Sequence, residues 1–137
     1  MKRRTFLAAA ASATLFPGIV VRGDDNRVLG HGDFKYRLVP KWIGLSVSGS
    51  SQIRNCHGIV EDKDGHLFIL TDHVKNNVIV CDHGGKLVDR WTLDFPGAHG
   101  LSIVTEGEGK DAREVLYITD IRIGKFVKTT LDGEVLQ

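Results

Sequence analysis

Several common catalytic patterns are missing from this sequence of 137 residues. It has no Gly-rich phosphate loop, no serine nucleophile elbow and no CxxC pair, so those three kinds of site have no support. Proline is also scarce, with three Pro beside 16 Gly and frequent β-branched residues. This composition favours strands and tight turns rather than disorder, and the length predicts one domain.

No large charge of either sign is present, because the formal net charge is +1. Four of the 18 basic residues lie in the first 22 residues, where no acidic residue occurs, so the remainder is slightly acidic. Nucleic-acid binding requires a basic surface, which this balance does not provide. We therefore expect no nucleic-acid partner.

The N-terminal segment, residues 1–22, has the pattern of an export signal. A basic start at Lys2-Arg3-Arg4 precedes an apolar run from Phe6 to about Val21, and small residues at Ala11-Ser12-Ala13 suit a signal peptidase. The arginine pair also resembles a twin-arginine signal. The run is short and rich in alanine, so we expect no stable membrane span after cleavage. The predicted location is periplasmic or extracellular, with ordinary secretion left open as the route.

Two stretches of the chain carry the same pattern, 42 to 48 residues apart. In the first copy its segments are Cys56 to Glu61, Asp64 to Asp72, Val78 to Val80 and Gly85 to Leu87. In the second they are Ala98 to Val104, Val115 to Asp120, Phe126 to Lys128 and Gly133 to Val135. Four short apolar runs separated by turns are typical of a β-propeller blade, which buries its faces by stacking on other blades.

The sequence thus predicts an all-β fold of antiparallel four-stranded blades at about 56–93 and 98–137. A linker is expected at 23–33, and a strand at Phe34 to Val39 with one buried and one wet face. Together, residues 34–137 would form an incomplete propeller. We interpret the chain as truncated, and keep as a rival a homotrimer that closes six blades by self-association. The unpaired N-terminal strand argues against that rival.

The pattern Gly58 to Ile69, followed by Asn77 to Val80 and Asp82 to Leu87, resembles the NHL repeat. It is also similar to six-bladed exported bacterial proteins related to peptidyl-α-hydroxyglycine α-amidating lyase. That resemblance covers roughly residues 55–137 and implies zinc held in a central channel by histidines, assisted by a tyrosine and an arginine. The corresponding histidines are His57 and His99. Arg54 or Arg122 fits the arginine by loop position, whereas Tyr117 matches Phe68 and is interpreted as strand packing.

The equivalence of His57 and His99 is also a physical argument, because equivalent positions of successive blades approach one axis. Two imidazoles facing that axis can share a metal, although a catalytic zinc needs about three protein ligands. The alternative is that each ring hydrogen-bonds the backbone where its strand begins.

Other polar and aromatic residues have simpler interpretations. Asp62-Lys63-Asp64-Gly65 is predicted to be a hairpin turn rather than a calcium loop. Asp72 and Asp120 are interpreted as turn formers. Cys56 and Cys81 lie at different heights of the first repeat, so free thiols are favoured over a disulfide. Solvated histidines and packing tryptophans are expected at His31, His66, His73, His83, Trp42 and Trp91.

Three hypotheses of function remain open on this sequence. The first is a zinc-dependent lyase or hydrolase acting on a peptide or small-molecule ligand. The second is a non-enzymatic propeller that presents loops to a protein or peptide. The third is an inactive truncated fragment.

Overall fold

The computed structural model describes residues 28–44 and 53–137. The predicted export signal, part of the predicted linker and most of the loop before Cys56 lie outside these residues. The chain divides into two compact units at Pro40 and Lys41. Each unit is described separately below.

The first unit contains a short antiparallel hairpin of β1 (Val28–His31) and β2 (Phe34–Arg37). Residues 28–31, within the predicted linker, therefore form a strand. The prediction of a buried face on β2 is wrong, because Phe34 and Tyr36 are 68% and 65% exposed. A two-stranded hairpin has no second layer of its own to cover either face.

The second unit begins with a four-stranded antiparallel sheet, called here the first sheet. Its strands follow chain order: β3 (Cys56–Glu61), β4 (Leu67–Thr71), β5 (Val78–Cys81) and β6 (Leu87–Trp91). This meander matches the predicted first blade in strand number, order and position. The cysteines begin β3 and end β5, and both are free thiols.

Asp side chains close two hairpins of the first sheet in the same way. One carboxylate oxygen of Asp62 accepts the N–H groups of Asp64 and His66, and one of Asp82 accepts those of Gly84 and Lys86. These are Asx turns, in which a short polar side chain replaces a backbone acceptor. The predicted hairpin at 62–65 is thus confirmed.

The second sheet has three antiparallel strands: β7 (Ala98–Glu106), β8 (Arg113–Asp120) and β9 (Lys125–Thr129). A short 3₁₀ helix, Gly109–Asp111, occupies the enlarged β7–β8 connection. The predicted fourth strand is reduced to one bridge between Thr129 and Val135, with backbone hydrogen bonds from Lys128 and Leu136. The all-β prediction is confirmed, and the described residues form neither a closed barrel nor a complete propeller.

The core lies between one face of each sheet. The front face of the first sheet, defined by its alternating positions, comprises Gly58, Val60, Phe68, Leu70, Val78 and Val80. It packs on the back face of the second sheet, which comprises Leu101, Ile103, Leu116, Ile118, Val127 and Thr129. The first strands of the two sheets approach closely, since β3 contacts β7.

Candidate functional site

Both candidate histidines occupy β-bulges at the start of a sheet. In the first sheet, Cys56 pairs with Thr71 and Gly58 with Leu70, so His57 is an extra residue without a partner in the register. The second sheet repeats this arrangement around His99, between Ala98 and Gly100. A bulge redirects the side chain of its extra residue, and bulges are common beside functional sites.

The two bulges bring the imidazole rings together. The ring centroids of His57 and His99 lie 4.5 Å apart with their planes tilted by 41°, and both residues are exposed. Gly58 permits this approach, because a Cβ atom at that position would lie 2.9 Å from the Cβ of Leu101. The expected convergence of the two equivalent histidines is therefore observed.

A charged cluster lies beside the first bulge. Asp72 follows β4, and its Oδ2 atom accepts a hydrogen bond from the Asn55 side chain at 2.8 Å. The Nε atom of Arg54 lies 3.8 Å from Oδ1 of Asp72. This Oδ1 atom is buried without a hydrogen-bond partner. Burial, with a smaller contribution from the Asp72 charge, raises the pKa of the Cys56 thiol. Cys56 is therefore a thiol at neutral pH rather than an activated thiolate.

The second sheet places Asp120 at the corresponding end of β8. Its carboxylate accepts backbone N–H groups from Gly97, Arg122 and Ile123 at 2.7 to 2.9 Å. Burial opposes ionisation of this group, but the three donors and the Arg122 charge together hold its pKa below the usual range. The turn-forming role predicted for Asp120 is confirmed, and its carboxylate serves the backbone rather than the histidine pair.

An open apolar cavity of about 480 Å³ adjoins His57. It lies on the back face of the first sheet, and the other residues lining it are Ile43, Cys56, Gly58, Ile59 and Ile69. Ile59 is 59% exposed, which is unusual for an isoleucine in the middle of a strand. The site therefore combines two polar rings with an adjacent apolar surface.

The remaining sequence-predicted residues lie elsewhere. Tyr117 stacks on Phe126, and its hydroxyl donates to Glu106, as suits strand packing. The prediction that His66 is solvated is wrong, because its Nδ1 atom lies 3.0 Å from the buried Asp62 carboxylate. Trp91 packs against the core and donates to the Leu131 carbonyl, confirming its packing role.

His57 and His99 fit two of the ligands that a zinc site requires. Imidazole is a suitable zinc donor, and both residues are exposed. Within residues 28–44 and 53–137, however, no group of three or more His, Cys, Asp or Glu side chains is placed to hold a metal ion. The described residues supply a pair rather than a complete set.

Sequence reasoning missed the two bulges and the cavity. The repeated His-Gly pair was the available signal for the bulges. In each sheet a glycine, Gly58 or Gly100, follows the histidine, and its lack of a side chain is what distinguishes this position from the others in the strand. Nothing in the sequence indicated that Ile59 would be exposed, since it occupies an ordinary apolar position of a strand.

Comparison of the chain with protein-family models, curated proteins and solved structures finds no match. The part of the chain that the structure describes contains no helix long and apolar enough to cross a membrane. The fold defines an all-β protein with consecutive antiparallel sheets and a histidine pair where their first strands meet.

Proposed function

We propose that this chain forms part of an exported NHL-type β-propeller whose channel binds a metal through His57 and His99. The observation that carries the proposal is the pair of equivalent bulges, which bring the two rings to within 4.5 Å between centroids. Rings held only by backbone hydrogen bonds at their own strands would need no such proximity. The predicted export signal and the repeat pattern support the location and the fold family.

The enzymatic form of the proposal is a lyase resembling the peptidyl-hydroxyglycine amidating lyase group. A bound zinc ion would supply Lewis-acid chemistry to a substrate oxygen. The chain itself supplies two imidazole donors, and the apolar cavity beside His57 offers a surface for a nonpolar part of the ligand. Arg54 is the described cation nearest to the first bulge in sequence, and its pairing with Asp72 limits its freedom to bind an anionic group.

A non-enzymatic propeller scaffold is the second candidate. The exposed Ile59 and the open cavity favour it, because accessible apolar surface next to a sheet suits a peptide partner. In this case the histidines would bind no metal. The two candidates therefore differ in whether metal binding depends on His57 and His99.

Calorimetric titration of the purified chain with Zn²⁺ tests the proposal. We expect saturable binding that falls at least about tenfold in affinity in His57→Ala and in His99→Ala, because each substitution removes one of two donors. His83→Ala is the matched control, since His83 is exposed in the turn between β5 and β6, where its Nε2 atom lies 3.2 Å from a carboxylate oxygen of Glu61.

Zinc binding unchanged in both site variants would contradict the metal proposal. An equal loss in His83→Ala would show nonspecific histidine binding and contradict it as well. A folded chain without zinc affinity would favour the scaffold, and a chain that does not fold would favour an inactive fragment.

A further inference from the structure

A short segment at the start of the second unit, residues 41–44, lies against the first sheet and is called here the strap. It has no regular secondary structure. Its first residue, Lys41, has a φ of 54°, which is an uncommon conformation for a residue with a side chain. Lys41 and Gly44 are exposed, whereas Trp42 and Ile43 are half-buried. The strap is therefore a surface segment whose two apolar side chains are partly covered.

Hydrogen bonds join the strap to the turn between β5 and β6. The indole N–H of Trp42 donates to the His83 carbonyl at 2.9 Å, and the N–H of Gly44 donates to the Gly85 carbonyl at 3.4 Å. The second of these is longer than the usual N–H···O distance of about 2.9 Å. Gly85 makes room for the strap, because a Cβ atom at this position would lie 1.7 Å from the Trp42 carbonyl oxygen. Both hydrogen bonds are thus made to a single turn.

Between these two anchors, Ile43 packs on the back face of the first sheet. Its contacts there are with a cluster of buried side chains, Ile69, Ile79 and Cys81. Ile43 also lines the open apolar cavity beside His57. One side chain of the strap is therefore part of the cover of the cluster and part of the cavity wall.

Ile53 packs against the same cluster but is held differently. The carbonyl of the next residue, Arg54, accepts the backbone N–H of Asp72 just after β4, and β3 begins at Cys56. Segments with few anchors and exposed contacts open at a lower free energy than strands within a sheet. The strap is therefore the part of this cover that we expect to open first.

We infer that the strap opens and closes over the back face of the first sheet while both sheets stay folded. In the closed form Ile43 narrows the cavity beside His57. In the open form that wall is withdrawn, and a bulkier apolar group can enter the cavity. The opening rests on the contacts of the strap, whereas its consequence for a ligand rests on the proposed function.

Iodoacetamide labelling of Cys81, followed by mass spectrometry, tests the opening. Cys81 is fully buried and Cys56 is exposed, so Cys56→Ser leaves one thiol, which reports on the cover. We expect a labelling rate that is nearly independent of urea below the unfolding transition, because a local opening exposes little surface. A rate that rises with urea as steeply as the unfolding equilibrium would mean that Cys81 is reached only by global unfolding, which would overturn the inference.

Variants of the Cys56→Ser chain connect the opening to the anchors of the strap. Trp42→Phe keeps an aromatic ring and removes the N–H donor without changing the turn, so labelling of Cys81 should accelerate about fivefold. Gly85→Ala places a Cβ atom against the strap backbone and should accelerate it further.

Gly124→Ala is the matched control for Gly85→Ala. Gly124 also has a positive φ, of 65°, but an added Cβ atom there would meet nothing within 4 Å. It therefore carries the backbone strain without touching the strap, and labelling should not accelerate. An unchanged rate in Trp42→Phe, or equal acceleration in Gly85→Ala and Gly124→Ala, would contradict the strap.

Access to the cavity is measured at Cys56, which lines it. In the chain with both cysteines, resolved by peptide mass mapping, Gly85→Ala should accelerate labelling of Cys56 by pyrene maleimide, a bulky apolar reagent. Its labelling by the smaller iodoacetamide should stay the same, because Cys56 is already exposed. Equal effects on the two reagents would mean that the strap does not limit the cavity.

The zinc titration separates this inference from the proposed function. If Cys81 is reached only by global unfolding while zinc binds through His57 and His99, the strap fails and the metal site stands. If the strap opens as expected and the chain binds no zinc, the metal site fails and the opening stands.

Discussion

The two sheets of the second unit share their backbone design but differ in how their connections are anchored. Each begins with a bulged histidine followed by glycine. In the first sheet, the neutral and fully buried side chain of Asn77 anchors the segment that follows β6. The second secures its neighbouring turns with the ionised carboxylate of Asp120. A repeat thus conserves the geometry that aims the histidines while the anchoring chemistry varies.

The Asn77 anchor is expected to give the largest effect when removed. Its amide donates to the carbonyls of Thr71 and Phe95, and its oxygen accepts from the N–H groups of Leu93 and Phe95. Asn77→Ala leaves several buried groups without partners, so we expect a loss of about 3 kcal/mol in the free energy of unfolding. Urea denaturation measures it.

Asn55→Gly is the control for this substitution, because Asn55 has a φ of 39°, which glycine adopts without strain. The Asn55 side chain makes an exposed hydrogen bond to Asp72, so the loss should stay below about 1 kcal/mol. Equal losses in the two variants would mean that Asn77 does not anchor the connection.

The Asp120 anchor should give a smaller effect that depends on pH. Because its pKa is lowered on folding, its contribution is complete above the usual aspartate range and is lost as pH falls through the lowered value. Asp120→Asn should therefore be less stable than wild type at pH 7, with the difference shrinking at acidic pH. Denaturation at a series of pH values checks this.

Asp62 also has a lowered pKa, the net result of burial opposed by hydrogen bonds from His66 and Asp64, so part of the acid sensitivity remains in the variant. Asp94→Asn, at an exposed position, is the control. A difference between wild type and Asp120→Asn that persists unchanged into acid would contradict the role of the charge.

The smallest expected effect concerns the face of the second sheet that points away from the core. The polar contact there between Tyr117 and Glu106 has no counterpart in the first sheet. The hydrogen bond to Glu106 is the main cause that raises the pKa of Tyr117, followed by burial and the Glu106 charge. Glu106→Gln should therefore shift tyrosine ionisation to lower pH, as followed by ultraviolet absorbance. Tyr36→Phe in both chains leaves Tyr117 as the only tyrosine of the sequence that contributes to the signal. An unchanged titration would show that the hydroxyl does not donate to Glu106.

Much of the fold was predictable because apolar alternation and turn residues act locally. Asp62 to Gly65 and the Gly84-Gly85 pair fix the hairpins of the first sheet, so strand order follows. The number of strands in the second sheet was not predictable, because pairing at β9 depends on contacts beyond the local pattern. The exposed faces of Phe34 and Tyr36 show the same limit, since alternation predicts which side chains share a face but not what covers it.

The candidate site was predictable in its residues but not in its geometry. The repeated His-Gly pair identified His57 and His99 from equivalence alone. The bulges depend on the register between strands, and a register cannot be read from one strand. The cavity beside Ile59 depends on what packs against the back face, which is a tertiary property.

The proximity of the two imidazole rings is tested most directly by nuclear Overhauser spectroscopy of the folded, metal-free chain. With ring centroids 4.5 Å apart, the ring protons of His57 and His99 should give cross-peaks to each other that disappear in His99→Ala. A folded chain in which both rings are assigned and no such cross-peak appears would contradict the shared site.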